Sequence, residues 1–197
     1  MSHEAQKQPA PDEILLPVER AFLRDLASRT VEAAVRRTPL PDARALAERE
    51  KIALAPRLDQ KRGVFVTLHL DGNLRGCIGY IEGHKPLVEG VIDNGKNAAV
   101  GDPRFPPVSV QELPGLDLEI SVLTPLKTVS GPEDIEIGRH GILLDIGGRR
   151  SVFLPQVAVE QDWDLETTLG HLALKAGLAP DAWRDGATFQ VFEADIF

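Results

Sequence analysis

From residue 64 to residue 70, apolar and mixed positions alternate. Val64, Val66, Leu68 and Leu70 fall on one side, and Phe65, Thr67 and His69 on the other. A period of two predicts a half-buried β-strand. Asp71-Gly72 follows, a strong signal for a tight hairpin turn. The return strand is then LRGCIGY, residues 74–80, whose two glycines mark a bulge or a close backbone approach. Residues 116–122 alternate in the same way, with Asp117, Glu119 and Ser121 on the polar side. Residues 141–146, Gly147-Gly148 and residues 151–154 form a second hairpin pattern, and residues 188–192 read as a closing strand.

Helical spacing appears between these segments. Pro17 suits a first helical turn and Glu19 its positive end, with Val18, Phe22, Leu26 and Val31 as an apolar stripe. Arg36 and Arg37 suit the C-terminus, and Thr38-Pro39-Leu40-Pro41 ends the helix. A second short helix covers residues 43–52. A third, residues 86–100, carries Leu87, Val88, Val91, Ile92, Ala98 and Ala99, interrupted by Gly95. Asp164 caps a helix running to Lys175, with Leu165, Leu169, Leu172 and Ala176 as its core stripe and Gly177 just beyond. These elements predict an α+β fold, a largely antiparallel sheet with packed helices. Residues 1–14 read as a flexible leader and residues 15–197 as one domain.

Composition narrows the function classes. The 197 residues suit one domain or two small interlocked lobes, and 43% hydrophobic with 26% charged residues is ordinary for a globular protein. With 22 Lys and Arg against 30 Asp and Glu the net charge is −8, and no basic run offsets it. Arg36-Arg37, Lys61-Arg62 and Arg149-Arg150 are scattered, so nucleic acid is not an expected partner. Cys77 is the only cysteine, which rules out an intrachain disulfide. No apolar stretch approaches the ~18 residues of a membrane span. With a polar, Pro-bearing N-terminus, the expectation is a cytoplasmic protein without membrane association.

The segment Leu74-Arg75-Gly76-Cys77-Ile78-Gly79 is the first candidate for chemistry. In a regular strand Arg75 and Cys77 share a face, and a guanidinium beside a thiol favours the thiolate. A lone cysteine is equally well read as a small buried hydrophobe. Asp102-Pro103-Arg104-Phe105 offers a carboxylate and a guanidinium on a proline-stiffened loop, where a structural ion pair stapling the loop to the sheet is the favoured reading. His140, with Cys77 and either Glu119 or Asp102, has the residue types of a Cys-His nucleophile system, although a surface or packing histidine is more common. His69 lies on the strand opposite the cysteine. No metal-ligand spacing and no phosphate-binding glycine loop appears, so no metal or cofactor is expected. Lys175 is explained by the helix dipole, and Trp163 and Trp183 as core lids.

LRGCIGY, then DPRFPPV at residues 102–108, LEISVLTPL at 118–126, GRHG at 138–141, LPQVA at 154–158 and KAGL at 175–178 occur in that order. In these motifs the chain resembles the AMME chromosomal region (AMMECR) domain family, whose prokaryotic members are also called AmmeMemoRadiSam system protein A. The resemblance runs from about Val18 to Phe197. It implies two subdomains meeting at a cleft, an Arg-Gly-Cys hallmark, and the company of a Memo-like protein and a radical S-adenosylmethionine enzyme. It brings no reaction with it. It marks Arg75, Gly76, Cys77, Asp102, Arg104, Phe105, His140, Pro155, Gln156 and Lys175. Two readings follow. One is a small-molecule or modified-residue site at the Arg75-Gly76-Cys77 turn. There Cys77 and His140 are the catalytic candidates, and Arg75, Gly76, His69, Asp102, Arg104, Phe105, Glu119 and Gln156 the binding candidates. The other is a non-catalytic adaptor that docks partner proteins through the surface around Arg75 and Arg104.

Overall fold

In the computed structural model, which describes residues 15–52 and 55–197, the alternating segments pair into two antiparallel sheets. The expected leader lies outside the described residues. In chain order the main elements are α1 (Pro17–Arg36), α2 (Ala43–Glu50), β1 (Val64–Leu70), β2 (Asn73–Tyr80), α3 (Leu87–Val100), β3 (Leu116–Leu123), β4 (Lys127–Thr128), β5 (Gly141–Ile146), β6 (Arg149–Phe153), α4 (Pro155–Glu160), α5 (Leu165–Lys175), β7 (Thr188–Phe192) and β8 (Ala194–Ile196). The first sheet has the order β2-β1-β3-β8 and the second β4-β7-β5-β6. The α+β expectation therefore holds, with the strands divided between two sheets rather than gathered in one. Among the described residues no helix is long and apolar enough to cross a membrane.

The first sheet is built on the β1–β2 hairpin. Asp71 (φ 52°) and Gly72 (φ 75°) both take positive φ, as a two-residue turn matching the strand twist requires. Val64, Val66 and Leu68 of β1 and Ile120 and Val122 of β3 are fully buried on one face of the sheet, where α1 and α3 pack. On α1, Phe22, Leu26 and Val31 are buried as the stripe predicts, but Val18 is 53% exposed. At that end of the helix the inward position is Glu19, whose Oε1 lies 3.0 Å from Arg57 Nε. The other Glu19 oxygen accepts from the Leu16 backbone N–H at 2.7 Å and closes the helix start.

Gly95 faces α1. A Cβ added there would sit 3.5 Å from Thr30 Cγ2 and 3.6 Å from its Cβ, ordinary van der Waals contact. Gly95→Ala is therefore expected to raise stability by roughly 0.5–1 kcal/mol, read as a higher urea midpoint at unchanged slope. A lower midpoint would mean that α1 and α3 cannot accept the methyl group.

In the second sheet Ile142, Leu144, Phe189 and Val191 pack against Leu169, Leu172 and Ala173 of α5. Asp164 caps α5 by accepting from the Thr167 N–H at 2.8 Å, and Gly177 takes φ 75° beyond its end, both as expected. Helix α4 and strands β4 and β8 carry no sequence signal of their own, being six, two and three residues long. Strands β2 and β6 are edges of their respective sheets. They border one hollow of about 340 Å³, lined from one side by Tyr80 and Ile81 and from the other by Leu143 and Val152.

Candidate functional site

The register of the β1–β2 hairpin positions the cysteine. Leu70 pairs with Asn73 and His69 with Leu74, but Leu68 pairs with Gly76 and Thr67 with Cys77, so Arg75 is the extra residue of a β-bulge. Without the bulge, Cys77 would pair with Val66 and share its buried, helix-covered face. One inserted residue moves it to the face of Thr67. Gly76 keeps the helix side. A Cβ there would meet the Ala98 carbonyl oxygen of α3 at 2.2 Å, so only glycine admits this contact.

The backbone of Cys77 is satisfied on its outer edge by side chains. Its N–H donates to Asp102 Oδ2 at 2.9 Å, and its carbonyl accepts from Arg104 Nη2 at 3.0 Å. Asp102, 5% exposed, also accepts from Arg104 Nε at 2.9 Å, Nη2 at 2.7 Å and the Arg104 N–H at 3.0 Å. The Asp102–Arg104 pair thus stands where a further strand would add, and it closes this part of the edge. The Arg104 hydrogen bond, with the Cys77 and Arg104 N–H groups, holds the Asp102 carboxyl well below the usual carboxylate range, against the opposing effect of burial.

The sulfur of Cys77 is partly exposed and lies 3.2 Å from Thr67 Oγ1, which donates to it. The cation beside it is Arg104. That guanidinium's pKa is raised by Asp102 first, and the Cys77 thiol also contributes. The expectation that Arg75 shares the thiol's side is corrected here. The bulged Arg75 turns away, donating from Nε to Glu112 Oε1 at 2.7 Å and from Nη2 to Oε2 at 3.3 Å. Its remaining donors reach the carbonyls of Pro106 (2.9 Å) and Pro107 (3.3 Å). Only 12% exposed, it staples the proline loop to the hairpin. Glu112, hydrogen-bonded by Arg75 and then by Ser109, is held down at about 2.

The other candidates divide. Thr67 pairs with Cys77 on one side and Glu119 on the other, so these three form one row across the sheet, and His69 is two positions along β1 from Thr67. Ser121, one row further, is 1% exposed and its Oγ has no hydrogen-bond partner among the described residues. Gln156, on α4, likewise buries an unpartnered Oε1. Phe105 lies with its ring centroid 5.5 Å from the Arg104 guanidinium carbon. His140 is tied into its own turn, where Nδ1 accepts from the Glu136 N–H at 3.0 Å. Among the described residues no hydrogen bond joins it to Cys77, Asp102 or Glu119.

Two residues gain a place that the sequence reading did not give them. Thr67 is one, visible only once the bulge is known. Lys175 is the other. Its Nζ donates to the Val152 carbonyl on β6 at 2.9 Å and lies 4.8 Å from the Phe153 ring centroid. Its pKa is pushed below the ordinary lysine value by desolvation of the ammonium and then by the like charge of Arg104. The dipole explanation is therefore incomplete, since Lys175 sits within electrostatic reach of the Cys77 cluster. Among the described residues no group of three His, Cys, Asp or Glu side chains is arranged to hold a metal ion.

Comparison with known proteins agrees with this architecture. A crystal structure of the uncharacterized protein PH0010 from Pyrococcus horikoshii superposes with a TM-score of 0.78 at 38% identity, covering 89% of this chain and 88% of that one. Protein Mbar_A1807 of Methanosarcina barkeri is 40% identical over 189 residues, 93% of this chain and 92% of its own length. Protein MK0488 of Methanopyrus kandleri is 50% identical over 151 residues, 72% of this chain and 73% of its own. The AMMECR1 family model matches residues 24–197, and with relatives this similar along most of the molecule, the chain belongs to the AMMECR1 family.

Proposed function

We propose that the chain binds and transforms, or carries, a small molecule or modified residue at Cys77, in a cleft where the two sheets approach each other. The observation that carries this reading is the setting of the sulfur. It is partly exposed, receives a hydroxyl hydrogen bond from Thr67, and has the Arg104 guanidinium beside it. A hydroxyl donor and a cation both stabilise negative charge on sulfur, the form that acts as nucleophile. A cysteine kept only for packing needs neither. The reading does not use His140, whose Nδ1 already accepts a backbone hydrogen bond. The family resemblance supports action in company with a Memo-like protein and a radical S-adenosylmethionine enzyme. Docking of partners through Arg75 has less support, because that guanidinium is 12% exposed and its donors are engaged.

The test is alkylation of the folded protein by iodoacetamide across pH. Cys77 should react without denaturant. Thr67→Val should slow it about tenfold near neutral pH, the effect of removing one hydrogen bond of roughly 1.5 kcal/mol to a charged group. A sulfur that reacts only after unfolding ends the proposal.

A further inference from the structure

We propose that the molecule met by Cys77 carries a protonated amine, which pairs with Glu119 on the same face of the first sheet. This rests on the reading of Cys77 as the working group and names the class of molecule that group meets. Strand register brings the two side chains together. Cys77 of β2, Thr67 of β1 and Glu119 of β3 pair in one row, so all three rise from the face opposite Val64, Val66 and Leu68. Glu119 is half-buried, and among the described residues it has neither a hydrogen bond nor an ion pair. Its diagonal neighbour His69 makes no ion pair with it. Ser121, two positions along β3 on the same face, is 1% exposed, and its Oγ has no partner among the described residues. A carboxylate and a hydroxyl left unsatisfied beside a working sulfur are completed by a donor that arrives with the ligand.

Charge and spacing select the class. Arg104 and Asp102 neutralise each other through two side-chain hydrogen bonds, and Asp117 has Arg24 at 3.8 Å. A Cys77 thiolate and Glu119 remain. Lys175, drawn into the count, offsets the thiolate and still leaves Glu119 without a counter-charge. One positive charge therefore completes the site. An ammonium has three N–H donors and no acceptor, which suits the Glu119 carboxylate with the Ser121 hydroxyl as a second acceptor. Cys77 and Glu119 stand two strand spacings apart, about 10 Å between Cα atoms. With contacts of about 3 Å at the carboxylate and about 3.5 Å at the sulfur, roughly 4 Å separates the nitrogen from the atom that meets the sulfur. A two-carbon chain spans that gap. Thr67 between them is short, and its hydroxyl is already given to the sulfur.

The test compares the rates at which 2-aminoethyl and 2-sulfonatoethyl methanethiosulfonate modify Cys77 in the folded chain. The two reagents differ in the charge at the end of a two-carbon chain, and their rate ratio cancels any effect on the sulfur itself. The ratio should exceed that of 2-mercaptoethanol, measured in parallel, by roughly tenfold. Glu119→Gln should remove most of this excess. Glu48→Gln, which removes an exposed charge of the same sign from α2, should leave it. A ratio equal to that of 2-mercaptoethanol, or an excess that both substitutions lower equally, overturns the proposal. A second measurement needs no sulfur chemistry. In the Cys77→Ser chain, benzylamine should shift the backbone amide resonances of Glu119 and Ser121 saturably, with benzyl alcohol and benzoate inert. No benzylamine shift, or an equal response to benzyl alcohol or benzoate, overturns it. Because this arm reads binding alone, a sulfur that reacts only after unfolding, with benzylamine still bound, would sink the function proposed for Cys77 and leave the amine site standing. A reactive sulfur with no preference for the cationic reagent would do the reverse.

Discussion

Replacing Gly76 by alanine is expected to cost about 3 kcal/mol, at the upper end of what one extra methyl group imposes on a packed interior. The added Cβ would lie 2.2 Å from the Ala98 carbonyl oxygen and 3.1 Å from its carbon. These are backbone atoms in the last turn of α3, so no rotamer change relieves the overlap and the helix end must move. Asp102 follows that helix by two residues. Displacing α3 therefore pulls the carboxylate from the Cys77 N–H, and the site loosens with the core. Urea denaturation should show a lower midpoint at unchanged slope, and alkylation of Cys77 should lose its dependence on Thr67. A midpoint equal to that of the native chain would mean that the hairpin and helix are not held at this distance in solution. Gly95 is the internal control, because the same methyl group on the same helix meets only ordinary contacts there.

Asp102→Asn should be the second largest loss, about 2–3 kcal/mol. Removing one partner of a buried charge pair costs more when the other charge is trapped, and here Arg104 is 53% exposed and can turn to water. What solvent cannot mend is that asparagine keeps only one oxygen, so its NH2 group must face either the Cys77 N–H or the Arg104 N–H at a side chain only 5% exposed. The same carboxylate shapes the acid response. Asp102 and Glu112 both titrate in the folded chain below their ordinary values of 3.8 and 4.5. At low pH the unfolded chain therefore binds more protons than the folded one. The stabilisation is complete above those ordinary values and is lost as pH falls through the folded ones, about 2 for Glu112 and lower for Asp102. The native chain should lose stability steadily from pH 4.5 downward, and Asp102→Asn should show a shallower loss over the same window. An identical acid limb in both proteins would remove Asp102 from the account.

Most of the framework was legible because it is local. Alternation marked β1 and β3, and Asp164 with Gly177 bracketed α5. Dipeptide chemistry located both hairpin turns. The short elements β4, β8 and α4 were not legible, because fewer than two full periods carry no pattern. At the site, Asp102-Pro103-Arg104 was read as a loop staple, and the ion pair it forms with the β2 edge is of that kind. Arg75 was misplaced for a specific reason. Strict alternation puts it beside Cys77, while its actual partner Glu112 is 37 positions away with no pattern to announce it. The paired glycines signalled a bulge but not its position, and that position decides which face the cysteine takes. Lys175 was hidden by an adequate local explanation, since a cation at a helix end needs no other reason to be there.

The bulge has one consequence for how this hairpin can vary. A surface turn of this kind ordinarily tolerates gain or loss of a residue, because nothing depends on its length. Here the side on which the sulfur emerges is set by Arg75 standing out of the pairing. Deleting Arg75 would leave Leu68 opposite Gly76 and Thr67 opposite Cys77 in an unbroken ladder, so the thiol would keep its face while the staple to Glu112 is lost. Pairing Arg75 with Leu68, with no residue lost, is what would turn the thiol under α3, so the cysteine's exposure rests on one residue kept out of register.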